Sequence, residues 1–212
     1  MENLDFVELY FKEKESISKK IDKKLINNLY NLLESTYLND GTVYLMANGG
    51  PAGLLDNAAA DLGIHPFVQD DKSLTTEIRR MRVICLTNSS ACLTGISNDV
   101  GFENVFSEQL KNHLRENTSN YDLLISFSGS GNSINIINAV NYAKKFKVKT
   151  VCIGGRDGGK LRKLVDLSII IPGTSDFPGQ TGKNDNNFHI EDFQNSIIHI
   201  ITGLLKRRVN VS

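Results

Sequence analysis

Between positions 128 and 133 the chain reads Ser-Gly-Ser-Gly-Asn-Ser, directly behind an apolar run and directly ahead of a helix-length segment. Residues of these types at this spacing suit an anionic oxygen. Glycine lets a backbone approach a ligand closely. The first amides of a helix lack internal partners, and the helix dipole favours negative charge there. The hydroxyls of Ser128, Ser130 and Ser133 add neutral donors for phosphate oxygens. The pattern G-x-x-x-x-G-K-S/T of nucleoside-triphosphate loops is absent. A plain Gly-Ser turn with a capping serine is the competing reading.

Two further stretches have related chemistry. Asn48-Gly49-Gly50-Pro51 stands between another apolar run and another helical segment, as a tight turn beside a ligand or as a simple strand-to-helix turn. Farther on, Thr87-Asn88-Ser89-Ser90 leads into Ser97-Asn98-Asp99-Val100-Gly101. Asn98 and Asp99 offer an amide and a carboxylate to sugar hydroxyls, although a helix cap or turn uses the same residue types.

These loops need elements to hold them. Five short apolar runs read as buried strands: 42–47, 82–87, 123–127, 150–153 and 167–171. Helix-length segments lie between and after them at 54–63, 107–116, 133–146, 159–164 and 189–206. Strands that alternate with helices and are apolar nearly throughout predict a parallel sheet covered on both faces, a doubly wound α/β sandwich. Such sheets bind ligands outside the carboxyl ends of their strands, where all three loops fall. The loops at 48–53 and 128–133 lie side by side if their strands are neighbours. Ahead of the sheet, Ile17, Ile21, Leu25, Leu29, Leu32 and Leu33 recur at helical spacing with no Pro or Gly before Gly41. This predicts a helical segment over 1–40, followed by a single unit over 41–212. The polar stretch 172–187 reads as a loop longer than a connection needs, placed to lie over a pocket.

Composition bounds the function. The 212 residues carry 24 Lys and Arg against 24 Asp and Glu, with 40% hydrophobic and 23% charged residues, ordinary for a soluble globular domain. Zero formal charge argues against a general nucleic-acid binder. The basic groups at 144–149 and 206–208 read as solvated helix ends. No apolar run is long enough to span a membrane and no signal peptide is visible, so the expected compartment is the cytoplasm. Cys85, Cys92 and Cys152 fall in no metal-ligand spacing and read as buried reduced thiols.

The Ser-Gly-Ser-Gly-Asn-Ser loop resembles the phosphate loop of sugar isomerase (SIS) domains. Together with Asn48-Gly49-Gly50, the run 97–102, Gly154-Gly155-Arg156-Asp157-Gly158-Gly159-Lys160 and a terminal helix carrying His199, the chain is similar to the phosphoheptose isomerase group over nearly its whole length. The resemblance implies a five-stranded parallel sheet and a homotetramer with sites at subunit interfaces. It implies isomerisation of sedoheptulose 7-phosphate to D-glycero-D-manno-heptose 7-phosphate for surface polysaccharide. By position it makes Asp61 the catalytic base and His199 its acid/base partner. Ser128, Gly129, Ser130 and Ser133 would anchor the phosphate, and Asn48, Gly49, Gly50, Asn98, Asp99 and Glu191 would contact the sugar.

The sequence also departs from that group. Pro51 replaces a serine, Asn57 a histidine, Asp61 a glutamate, His65 an arginine and Glu191 a glutamine. The family's zinc set falls on Asn57, Asp61, Glu191 and His199. Asp61, Glu191 and His199 are then the expected ligands of zinc or another divalent metal, with His65 and His189 as other sources of nitrogen. Two alternatives follow from the departures: a non-catalytic SIS protein that binds phosphosugars or serves in assembly, including the replication initiator-associating type, or an isomerase for another phosphosugar.

Overall fold

The strand order is β2-β1-β3-β4-β5 and every neighbouring pair is parallel. The strands are β1 (Thr42–Ala47), β2 (Arg82–Cys85), β3 (Leu123–Ser128), β4 (Lys149–Gly155) and β5 (Leu167–Ile171). This computed structural model describes residues 2–71, 76–116, 118–173, 175–180 and 187–209. The chain leaves β1 toward one edge to form β2, then crosses back to form β3 on the other side of β1. The order therefore reverses between β1 and β3, and an open parallel sheet holds its ligand crevice at that point.

Alternation along the strands supplies two cores. Val43, Leu45 and Ala47, with Leu123, Ile125 and Phe127, face one side and pack with Leu29, Leu33, Leu55, Leu62, Ile197 and Ile201. Those residues come from helices α2 (Lys23–Leu38), α4 (Leu55–Gly63) and α9 (Phe188–Val209). Tyr44, Met46, Leu124 and Cys152 face the other side with Phe106, Leu110, Ile136, Val140 and Leu161. These belong to α6 (Val105–Leu110), α7 (Ile134–Lys145) and α8 (Leu161–Leu164). The expected doubly wound α/β sandwich with a five-stranded parallel sheet is what forms.

Some expected elements differ. The helical segment over 1–40 is two helices, α1 (Asn3–Lys20) and α2, because Ile21 turns extended and the Asp22 carboxylate accepts the Lys24 amide at 2.8 Å as a new N-cap. Ile17, Ile21, Ile26, Leu29 and Leu33 nonetheless belong to the same buried core. The helix expected over 107–116 starts and stops earlier. Beyond Leu110 the amides of Asn112 and His113 reach back only three residues, at 3.1 and 3.0 Å, and the coil tightens into turns. Residues 90–99 form α5 (Ser90–Asp99), a helix that buries no residue and so leaves little apolar period to read; Ser89 caps it by accepting the Cys92 amide at 3.1 Å. Cys92 is exposed on α5, against expectation. Cys85 and Cys152 are buried, and burial pushes both thiols up to about 11. Thr174 and positions 181–186 of the expected loop lie outside the described residues. Among the described residues no helix is long and apolar enough to cross a membrane.

Candidate active site

Two loops meet at the reversal of strand order, as adjacency of β1 and β3 requires. Residues 48–51, 127–130 and 133, with Ile136, Arg156 and Asn187, line a cavity of ≈ 280 Å³. That volume is near the lower end of small-molecule sites.

The serine loop is built by its own short bonds. Ser128 ends β3 in the core, and its Oγ accepts the Gly131 amide at 2.9 Å. Ser130 Oγ accepts the Asn132 amide at 3.3 Å. Gly131 has φ 68°, and any side chain there would strike the carbonyl of Gly158. Ser133 precedes α7 without a side-chain cap bond. Its hydroxyl and those of Ser128 and Ser130 line the cavity with donors to offer.

The loop after β1 is fastened to α7. Asn48 and Asn135 exchange two amide hydrogen bonds of 2.9 Å each. Gly49 turns the chain with φ 61° into α3 (Gly50–Gly53), where Pro51 is buried at the first turn. Over Gly50 lies the carboxylate of Glu191, leaving no room for a Cβ. Burial, then the charge of Asp192, pushes the Glu191 carboxyl above its usual range.

A carboxylate–imidazole couple lies where α4 packs on α9. Asp61 is buried, and its Oδ2 stands 3.3 Å from His199 Nε2. Oδ2 also accepts from Asn57 Nδ2 at 2.8 Å, and Oδ1 faces His65 Nδ1 at 2.8 Å. Thr202 Oγ1 donates to the Asp61 carbonyl at 3.1 Å and so ties the helices together at this level. A carboxylate accepts about four hydrogen bonds through its two oxygens. Asn57, His65 and His199 occupy three of these directions.

Residues 9–155 match the sequence profile of the SIS domain. A phosphoheptose isomerase of Sulfurimonas denitrificans is 33% identical over 208 residues, covering 92% of this chain and 94% of that protein. The chain belongs to the SIS-domain family, within its phosphoheptose isomerase group. The solved phosphoheptose isomerase of Neisseria gonorrhoeae superposes with a TM-score of 0.77 at 25% identity, covering 96% of this chain and 98% of that one. A second, from Francisella tularensis, has a TM-score of 0.80 at 22% identity over 98% and 100%, and shares the fold.

Within this SIS domain the expected site residues fall into three places. Asn48, Gly49, Gly50, Ser128, Gly129, Ser130 and Ser133 line the cavity. Asp61 and His199 form the couple. Asn98 and Asp99 are brought to neither; they form the last turn of α5, exposed, with Asn98 Nδ2 donating to Asp99 Oδ1 at 2.8 Å. Asn48 lines the cavity while its amide also exchanges bonds with Asn135. The expected metal set of Asp61, Glu191 and His199 is not assembled. Glu191 packs on Gly50, the two imidazoles aim at the Asp61 carboxylate itself, and among the described residues no group of three or more His, Cys, Asp or Glu is placed to hold a metal ion. His189 is elsewhere, with Nε2 2.9 Å from Glu13 of α1.

Three residues of the SIS site were missed by sequence reasoning: Asn135, Arg156 and Asn187. Asn135 sits two residues beyond the serine loop, and its spacing alone points as readily to a helix face. Arg156 lay within a quoted motif, but only its left-handed backbone, φ 57°, turns it to the cavity.

Proposed function

We propose that this SIS domain is a phosphosugar aldose–ketose isomerase that converts sedoheptulose 7-phosphate to D-glycero-D-manno-heptose 7-phosphate, supplying heptose for surface polysaccharide. The reading includes a cytoplasmic homotetramer. The observation that carries it is the Asp61–His199 contact at 3.3 Å, held between α4 and α9 in a chain whose serine loop lines a cavity. The relatives' name as phosphoheptose isomerases supports the substrate.

The chemistry follows from the groups present. A hydrogen on C1 of the ketose is weakly acidic because the C2 carbonyl accepts its electron pair. Asp61 takes that proton as the C1–C2 double bond forms, and His199 gives a proton to O2, which completes a cis-enediol. Return of a proton to C2 and loss of the O1 proton to the imidazole leave the aldose, with both side chains restored. General acid–base catalysis of this kind contributes about 10²–10⁴-fold. The serine loop fixes the far end of the sugar, so the reacting carbons need not search for the base.

Asp61→Asn tests the assignment. Turnover of sedoheptulose 7-phosphate, followed as aldose product with and without added divalent metal, should fall by about 10²–10⁴-fold. Stabilisation of the variant by the same phosphosugar, read as a shift in Tm, should remain. Full turnover in the variant would refute the role of Asp61. A wild-type chain that binds the phosphosugar but forms no product would refute this reaction and fit a binding protein or an isomerase for another phosphosugar.

A further inference from the structure

Arg156 is the only charged side chain among the described residues that line the cavity. Three observations fix where it stands. Its φ of 57° lies in the left-handed region, unusual for a residue with a side chain and typical of a functional position when the surroundings hold it. Its amide donates to the Ile171 carbonyl at 3.1 Å, which pins the turn to the end of β5. The loop that follows is fastened to the serine loop: the Leu161 amide donates to the Gly131 carbonyl at 3.0 Å, and the Lys160 amide to Asn132 Oδ1 at 3.1 Å. Gly131 and Gly158 touch backbone to backbone. The guanidinium reaches across the mouth, where Nη2 donates to Asn187 Oδ1 at 3.3 Å. Asn187 in turn lies against Gly129.

We propose that Arg156 is the charge-bearing contact of the phosphate ester and so determines specificity for a phosphorylated sugar over its neutral parent. The serines and amides of the loop are neutral donors, and they recognise oxygen geometry more than charge. A guanidinium adds a full positive charge and up to five donors in a planar fork that matches phosphate oxygens. The bond to Asn187 is long for a charged donor, and an arriving phosphate is a stronger acceptor than that amide oxygen. The identity of the ester rests on the isomerase reading; the phosphate contact does not.

The test uses the full chain and three variants. Arg156→Gly removes the side chain where the backbone favours glycine, so the unliganded fold should hold. Arg156→Gln retains a donor without charge, and Arg156→Lys retains charge without the fork. Inorganic phosphate should raise the Tm of the wild type and do so much less in the Gly and Gln variants. KM for sedoheptulose 7-phosphate should rise about 10- to 100-fold in both, with kcat less affected, and Arg156→Lys should fall between. Discrimination between sedoheptulose 7-phosphate and sedoheptulose should shrink by the same factor. Equal phosphate responses in wild type and Arg156→Gly, or no response in the wild type, would overturn the proposal. If the wild type shows the phosphate response and Arg156→Gly loses it, while neither turns over sedoheptulose 7-phosphate, Arg156 stands and the assigned reaction falls.

Discussion

Asn135 is 1% exposed, and beyond its two bonds with Asn48 its Oδ1 also accepts the Ile136 amide at 2.9 Å. One buried amide therefore joins the loop after β1 to the helix that opens behind the serine loop. Asn135→Ala leaves the half-buried amide of Asn48 without its partner. The expected loss is about 1–3 kcal/mol of folding stability, read by urea denaturation, together with a higher KM for the phosphosugar. A loss indistinguishable from zero would mean that water replaces the missing partner and that the pair holds nothing in place. At this scale the glycines and serines of 128–133 were legible because their chemistry is local. The contributions of Asn135 and Arg156 were not, since one depends on which helix packs beside β1 and the other on a left-handed turn that an arginine rarely adopts.

Elements show the same division between local and distant causes. The five strands were readable because each is a short apolar run, buried nearly throughout in β1, β3 and β4 and in part at the edges β2 and β5. The break at Ile21 and Asp22 was not, since the apolar stripe continues across it, and α5 was not, since it buries nothing. Docking of α1 rests on distant contacts as well. Glu13 accepts from Ser175 Oγ at 2.6 Å and the Asp176 amide at 2.8 Å, and pairs with His189 Nε2 at 2.9 Å. Gln180 Oε1 accepts the His189 amide at 3.0 Å and closes the same segment onto α9. Burial alone would push the Glu13 carboxyl up, but the Ser175 hydroxyl, the Asp176 amide and His189 outweigh it and hold the group below its usual 4.5. The native state then holds fewer protons than the unfolded chain over that window, so stability rises with pH there. This contribution is complete above the ordinary value of 4.5 and is lost as pH falls through the lower native one. Glu13→Gln should lower stability at neutral pH and flatten its decline on acidification. Urea midpoints across the acid range check both, and parallel pH profiles for variant and wild type would remove Glu13 as the cause.

At the scale of the whole molecule, the strand order decides where a ligand can sit. The sequence shows that two glycine loops are adjacent only if β1 and β3 are neighbours, and the crossover that makes them so is a property of the assembled sheet. The same limit applies to what lies beyond one chain. In α1, Leu4, Val7 and Phe11 are 65%, 51% and 66% exposed at three- and four-residue steps, so they form one stripe on a helix whose only buried residue is Ile17. Large apolar side chains in a row are favourable to remove from water, at about 25 cal/mol per Å². A second copy of the chain is the surface that the proposed homotetramer offers them. Light scattering should find four chains per particle for the wild type. Leu4→Ser combined with Phe11→Ser should shift that distribution to smaller species with helix content retained by circular dichroism, because both side chains are largely exposed on their own chain. If the wild type is a monomer, the tetramer is wrong. If the double variant remains a tetramer, α1 is not where the chains meet, and the stripe needs another explanation.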